Sequence, residues 1–380
     1  MRGEGEMDMA RQGKIRKMFP GGNTTKGYYF LFEYMIQPAV NRVYIIKGGP
    51  GTGKSSLMNF ISREMTGRGY EVEHHHCATD PDSLDGLVIP DLGVALLDGT
   101  APHAFDPKNP GIAEEIVNLA EYWDDTVIIP YKAEIMEISK RGNMHFQTAY
   151  SLLKQSKMAY DQWQWYVEEA IDPAKYNRIS RLLVERMLEG ITPNYDTAPQ
   201  ARHLLASAIT PGGIVDFRQA LIERDMKVFS VRGESKTLVK QLIRRAANAA
   251  EEMGLYTEQY HCPYEPDKLD MLIIPAVRTV VTNSSQPYHL DPEGLEEKPS
   301  VETVDLDICI KKGLLEQYEE EKTDALIRSR NLLEKGIEYL AKARAAHSER
   351  EKYYSAAMDF DRVDIRRKEI LNQILQYAEE

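Results

Sequence analysis

Residues 48–55 read Gly48-Gly49-Pro50-Gly51-Thr52-Gly53-Lys54-Ser55, with Ser56 following, a glycine-rich loop that ends in Lys-Ser. Its glycines let the backbone turn several N–H groups into one concavity, where they suit phosphate oxygens. Lys54 adds a mobile cation for the outer phosphates, and the Ser55 hydroxyl is a hard oxygen ligand for Mg²⁺. The apolar run Val43–Ile46 precedes the loop, and Leu57 and Ile61 after it recur at helical spacing. Strand, turn and helix in that order are the context the motif needs. The spacing therefore predicts a nucleoside triphosphate with Mg²⁺ held by Gly48, Gly49, Pro50, Gly51, Thr52, Gly53, Lys54, Ser55 and Ser56.

A second apolar run, Val94–Leu97, closes on Asp98. A carboxylate at the carboxyl end of a parallel strand beside a phosphate loop is placed to hold a magnesium-bound water. Ser55 and Asp98 are thus the expected metal-side residues. Gly99 and Thr100 follow Asp98, so the glutamate that many ATPases place here to polarise the attacking water is missing. Asp80, Asp82, Asp85, Glu73 and His103 are the acid–base candidates in the strand-end loops. Asp82 and Asp85 recur later in the chain as Asp267 and Asp270, beside a loop that has lost its glycines, which favours capping or contact between halves for them. Asp98, Thr100 and His103 have no such recurrence and join Lys54 as the catalytic candidates.

Other chemistry-bearing clusters are weaker. On a strand His74 and His76 would share one face while His75 takes the other, so at most two imidazoles converge. Their counterpart Gln259-Tyr260-His261-Cys262 keeps only His-Cys, which favours a buried structural pair over a metal site. Trp163, Trp165 and Tyr166 lie at helical spacing and suit a helical core better than a base platform. The polar stretch Phe19–Gly27 is a candidate flap in which Thr25 or Lys26 would reach the nucleotide. A guanine-reading Asn-Lys-x-Asp motif is absent, so ATP is favoured over GTP.

The elements that must position these residues are written twice. His76–Pro90 returns as His261–Pro275 with nine identities in fifteen positions at an offset of 185. Val43–Gly48 faces Val228–Gly233, Val94–His103 faces Thr279–Tyr288, and Pro20-Gly21-Gly22 resembles Pro211-Gly212-Gly213. Charged, helix-periodic segments at 132–190 and 314–379 each carry an Ala-x-Asp step, at Ala170–Asp172 and Ala357–Asp359. The pattern predicts two halves, 1–195 and 196–380, each an α/β unit followed by a helical hairpin. Three strands are visible in the first half, near 43–47, 71–76 and 94–98, with Thr126–Ile129 and Val304–Ile310 as candidates for more. The second loop, Gly233-Glu234-Ser235-Lys236-Thr237, is three residues shorter and lacks the inner glycines, and Asn283 replaces Asp98. Glu234 also puts a negative charge where phosphate would sit, so the second site is expected to be degenerate.

Composition bounds the rest. The 380 residues are 42% hydrophobic and 28% charged, with a net charge of −12 and three cysteines. A broadly basic nucleic-acid surface is excluded as the expectation, and no run approaches a membrane span. Scattered cysteines and a polar amino terminus with no apolar segment predict a cytoplasmic protein.

The GGPGTGKSS loop, the HHCATDPDSLDGLVIP segment, the LLDGTAPH strand end and the duplication resemble an uncharacterised bacterial family of tandem P-loop ATPases, over essentially the whole chain. The resemblance implies duplicated three-layer α/β/α P-loop NTPase units with mostly parallel sheets and nucleotide at the strand carboxyl ends. It also implies that Gly48 to Ser56 contact phosphates and that Ser55 and Asp98 hold Mg²⁺. Arg232 or Lys236 is the candidate cation across the pseudo-twofold interface. ATP hydrolysis is the expected activity. A small-molecule or nucleotide kinase, and a non-catalytic nucleotide-gated module with a protein partner, remain open beside it.

Overall fold

Val43, Tyr44, Ile45 and Ile46 are all fully buried, as an apolar run without alternation requires when both faces of its strand are covered. The computed structural model describes residues 12–36, 40–100, 105–107, 111–196, 198, 200–285 and 299–378. The first half runs β1 (Ile15–Met18), β2 (Gly21–Thr24), β3 (Gly27–Phe30), β4 (Arg42–Lys47), α1 (Lys54–Thr66), β5 (Val72–His76), β6 (Leu84–Ile89), β7 (Val94–Asp98) and β8 (Glu114–Asn118). Helices α2 (Asp125–Ile128), α3 (Lys132–Glu169) and α4 (Pro173–Met187) follow. The second half repeats the order with β9 (Ala201–Leu204), β10 (Ser207–Thr210), β11 (Gly213–Asp216), β12 (Lys227–Arg232), α5 (Lys236–Glu252), β13 (Thr257–His261), β14 (Leu269–Ile274), β15 (Thr279–Asn283) and β16 (Ser300–Asp305). It ends in α6 (Lys312–Leu315), α7 (Glu319–Ala357) and α8 (Phe360–Gln376).

Each half contributes a six-stranded mixed sheet, β1-β5-β6-β7-β4-β8 and β9-β13-β14-β15-β12-β16. Parallel pairs outnumber antiparallel ones three to two in both, with β6 and β14 antiparallel to their neighbours. Between the sheets, hairpins β2–β3 and β10–β11 join into one four-stranded sheet. The hairpins correct one sequence pairing. Pro211-Gly212-Gly213 is the tip of the second hairpin and matches Thr25-Lys26-Gly27, not Pro20-Gly21-Gly22. Thr126–Ile129 is helical rather than extended, because Asp124 accepts a hydrogen bond from Thr126 N and starts α2. The strand beside β4 is instead β8, and of Val304–Ile310 only Val304 and Asp305 are extended.

The layering also departs from an α/β/α sandwich. One face of the first sheet is covered by α1 and α8, through Leu57, Ile61, Ile370, Leu371 and Ile374. Among the described residues the other face, with Val43, Ile45 and Leu97, is covered by the turn Phe32–Met35 together with Tyr28, Ile36, Val40 and Phe105, and by no long helix.

The terminal helices are exchanged between halves. Helix α8, from the second half, packs on α1, and Tyr44 OH donates to Gln373 Oε1 at 3.2 Å. Helix α4, from the first half, packs Leu183 and Met187 against α5. The crossing is tied by backbone bonds at each Ala-x-Asp step, Asp172 N to Cys309 O (2.7 Å) and Asp359 N to Tyr122 O (2.8 Å). Those aspartates cap the helices they precede, Asp172 onto Ala174 and Lys175 and Asp359 onto Arg362. The long helices α3 and α7 lie antiparallel, Arg141 meeting Glu349 at one end and Ser156 meeting Ser329 further along. Close approach is set by Gly336, where a Cβ would stand 2.9 Å from Leu153.

A buried charge quartet closes the interface between the sheets. Arg202 donates to both Glu73 oxygens at 2.8 and 2.6 Å, and Arg16 donates to both Glu258 oxygens at 3.2 and 2.6 Å. Arg16 also reaches Glu73 at 3.2 Å. Each half supplies one arginine and one glutamate, so the contact is self-complementary in the manner of a twofold dimer.

Candidate functional site: the glycine loop of the first half

The loop between β4 and α1 owes its path to Gly51 (φ +72°) and Gly53 (φ +90°), a region that side chains with a Cβ rarely enter. Thr52 Oγ1 donates to Gly49 O at 2.9 Å and pins the turn. Lys54 Nζ donates to Gly49 O (2.9 Å) and Gly48 O (3.2 Å) and lies 3.6 Å from Asp98 Oδ2. The parallel register, Ile46 beside Asp98, brings that carboxylate level with the start of the loop. Thr100 N donates to Asp98 Oδ1 at 2.8 Å, and Thr100 Oγ1 donates to Gly48 O at 2.9 Å. Lys54, Asp98 and Thr100 therefore converge on the loop's first residues. Ser55 Oγ accepts from Leu84 N at 3.0 Å and from Asn59 at 3.3 Å, facing the β5–β6 turn. Ser56 is exposed on the first turn of α1, and Pro50 is half-buried. His103 lies outside the described residues.

Among the described residues, no protein acceptor takes the backbone N–H groups of Gly51 and of Gly53 to Ser56. In the second half's loop four N–H groups are taken. Its Gly233 N donates to Ser285 Oγ (3.1 Å), Glu234 N to Asp307 Oδ1 (2.6 Å), Thr237 N to Gln164 Oε1 (3.2 Å) and Leu238 N to the Ser235 cap (3.3 Å). Lys236 Nζ turns back to Gly233 O at 3.0 Å, and Lys322 from α7 neutralises Glu234 at 2.9 Å. Burial pulls the Lys236 ammonium down to about 8. The chain's own groups thus take four of this loop's N–H groups and its lysine.

The carboxylates diverge in the same sense. Because β6 is antiparallel to β7 and Gly86 pairs with Leu97, Asp85 falls beside Asp98. Burial, then the Asp98 charge, pushes the Asp85 carboxyl up to about 8. In the second half the equivalent pair is Asp270 and Asn283, and the Asn283 amide donates to Asp270 Oδ1 at 3.0 Å. The first half thus keeps two carboxyl groups side by side, one of them held protonated, where the second pairs a carboxyl with an amide. Sequence reasoning had set Asp85 aside as a cap or contact, since its recurrence hid the change in its cross-strand partner. Asp85→Asn is expected to flatten a pH dependence. The unfolded aspartate ionises near its ordinary 3.8 while the folded one keeps its proton to about 8, so native stability falls as pH rises through that window. Urea denaturation from pH 4 to 9 on both proteins checks this.

The remaining sequence candidates are placed elsewhere. Thr25 Oγ1 donates to Tyr264 O (2.7 Å) and Lys26 pairs with Asp267, so the β2–β3 tip meets the second half rather than the glycine loop. His74 Nε2 shares a proton with Ser62 Oγ at 2.6 Å, and His76 Nδ1 donates to Pro81 O at 2.7 Å. Burial holds both imidazoles down to about 4, and His261 repeats the His76 contact on Pro266 O. Asp80 Oδ2 accepts from Ser83 Oγ at 2.6 Å, inside the turn above Ser55. Glu73 belongs to the charge quartet, Asp82 is exposed, and Trp163 packs on Tyr160. Arg232 pairs with Asp305 at 2.8 Å, away from the first loop.

One wall of the site is built in part by residues of the other half. Tyr354 and Trp123 form a ring pair 5.5 Å apart, and a Cβ at Gly49 would stand 3.1 Å from Tyr354 and 3.2 Å from Trp123. Ser355 Oγ donates to Gly51 O at 3.0 Å. Tyr354 and Ser355, on α7, come from the other half, some 300 positions downstream.

Among the described residues no three His, Cys, Asp or Glu side chains cluster as a self-sufficient metal site. Asp85, Asp98 and the Ser55 hydroxyl are hard oxygen donors of the kind Mg²⁺ takes when phosphate oxygens and water complete its shell, so the residues fit that ion. Neither a protein-family model, nor a curated protein, nor a solved structure matches the chain. No described helix is long and apolar enough to cross a membrane.

Proposed function

We propose that the chain is a Mg²⁺-dependent, ATP-binding NTPase of the tandem P-loop type that hydrolyses ATP at the first half's loop, the second loop being closed to nucleotide. The observation that carries this is the contrast between the two loops. One presents N–H groups that no described protein acceptor takes, beside a lysine and two carboxylates, and the other has its N–H groups bonded to Ser285, Asp307, Gln164 and Ser235. In this reading the N–H groups of Gly51 to Ser56 bind the phosphates and Lys54 leaves Gly48 and Gly49 to neutralise the transferred group. Asp98, with Ser55 and Asp85, holds the cation, and bound Mg²⁺ supplies further charge neutralisation. Thr100 ties Asp98 to the loop and keeps the two in register. Three free cysteines are in keeping with a cytoplasmic setting.

Charge-assisted hydrogen bonds are worth about 1.5–3 kcal/mol each. Lys54→Ala is therefore expected to weaken Mg-ATP binding by about 10- to 150-fold for each bond lost, while Lys236→Ala leaves it unchanged. Calorimetry checks both, with one nucleotide per chain as the expected stoichiometry and two equivalent nucleotides as the result that refutes the closed second loop. Phosphate release from ATP alone supports hydrolysis. Turnover only with an added metabolite pool would identify a kinase, and tight binding without turnover a nucleotide-gated module.

A further inference from the structure

We propose that Arg344, on helix α7 of the second half, is the cation that contacts the outermost phosphate at the first half's loop. The assignment rests on the phosphate-loop reading above and adds a ligand contact to it.

Arg344 lies two turns before Glu351 on the same face of α7, and the Glu351 carbonyl oxygen would stand 2.8 Å from a Cβ at Gly51. Its Nη1 lies 3.4 Å from Glu351 Oε2, and its Nη2 donates to Asp80 Oδ2 at 2.8 Å. Asp80 sits in the turn that leads to Leu84, whose N–H meets Ser55 Oγ. Through Glu351 and Asp80 the guanidinium thus links the helix turn that packs on Gly51 to the chain turn that meets Ser55. It is 24% exposed, so it is held at an edge that a ligand can reach and not sealed in the core. Two carboxylates and the Ser348 hydroxyl hold the planar fork, and a phosphate offers paired oxygens in place of the carboxylates. Asp80 and Glu351 then act as the resting partners of a group whose working partner is the ligand.

The other repeat provides a comparison within the same chain. At the matching place on α3 stands Lys157, 3.4 Å from Glu265, the counterpart of Asp80. A lysine offers a point charge without a fork, and it stands by the loop whose N–H groups are already taken. The arginine accompanies the open loop only. Arg232 and Lys236, the cations expected across the interface from sequence, bond to Asp305 and Gly233 of their own half.

The test is calorimetric titration of Mg-ATP and Mg-ADP into the full chain and into Arg344→Ala, Arg344→Lys, Lys157→Ala and Lys54→Ala. Arg344→Ala is expected to weaken ATP at least tenfold and ADP less than threefold, with Arg344→Lys between it and wild type and Lys157→Ala within twofold of wild type for both. Equal weakening of ATP and ADP would show a structural role and overturn the assignment, as would unchanged ATP binding or the same selective loss in Lys157→Ala. If Arg344→Ala fails to fold, Arg344→Lys still decides, since it keeps the charge and removes the fork. Absence of any nucleotide binding by wild type would remove the phosphate-loop reading itself. Binding that Lys54→Ala loses but Arg344→Ala retains in full would remove only Arg344.

Discussion

Arg202→Ala is expected to destabilise the chain by about 3–5 kcal/mol, the usual cost of leaving a buried charge without its partner. Glu73 is 2% exposed and receives both Arg202 bonds, and Arg16 can replace them only from 3.2 Å while holding Glu258. Replacing both Arg202 and Glu73 by methionine is expected to recover most of that loss. It removes one complete ion pair and leaves the Arg16–Glu258 pair satisfied. Burial alone would raise the Glu73 carboxyl, but the Arg202 guanidinium beside it holds it well below the usual carboxylate range. A depressed acid contributes stability that is present above its unfolded value, near 4.5, and lost as pH falls through the folded one. Wild type should therefore soften in acid more steeply than the double variant. Urea denaturation at pH 7 and pH 3 on the three proteins measures both effects. Equal stability of Arg202→Ala and wild type at pH 7 would mean that the quartet does not hold the halves together.

What was legible in the sequence was what depends on neighbours along the chain. The glycine loop needs a strand before it and a helix after it, and Val43–Ile46 and Leu57–Ile61 supply both within 20 residues. The duplication was legible for the same reason, since the His76 contact on Pro81 O and the His261 contact on Pro266 O are local and drew the same residues twice. Strand β8 escaped because it is an edge strand. Glu115 pairs there with Arg42 and Arg366, and Ile116 stays 49% exposed, so no apolar run marks it. The wall built by Glu351, Tyr354 and Ser355 escaped because nothing near Gly51 in the chain points to it. That no long described helix covers the other face of the first sheet has a like cause, since Phe32, Met35 and Tyr28 cover it from a short turn and a hairpin.

The exchange of terminal helices was the least legible feature, because an amphipathic helix carries the same stripe whichever half it covers. Its consequence is also the largest. Ending the chain after Asp359 removes Ile370, Leu371 and Ile374 from the core around Leu57, Ile61 and Tyr44. At about 1.5–3 kcal/mol for each buried side chain of this size, those three account for roughly 5–9 kcal/mol. Domains of ordinary size have only about 5–15 kcal/mol in all. The truncated chain is therefore expected to lose the ordered first sheet, although every residue of the glycine loop is still present. Amide hydrogen exchange should show β4 and α1 unprotected while α5, covered by α4, keeps its protection. Ile374→Ala is the milder form, with a loss of about 2–5 kcal/mol and the same half affected first. Residues 1–195 alone are expected to fail to bind Mg-ATP for the same reason, since the helix that completes their core lies in the other half. Full protection of β4 in the truncated chain, or Mg-ATP binding by 1–195 as tight as that of the whole protein, would show that the first half is self-sufficient and that the crossing of α8 contributes little to its stability.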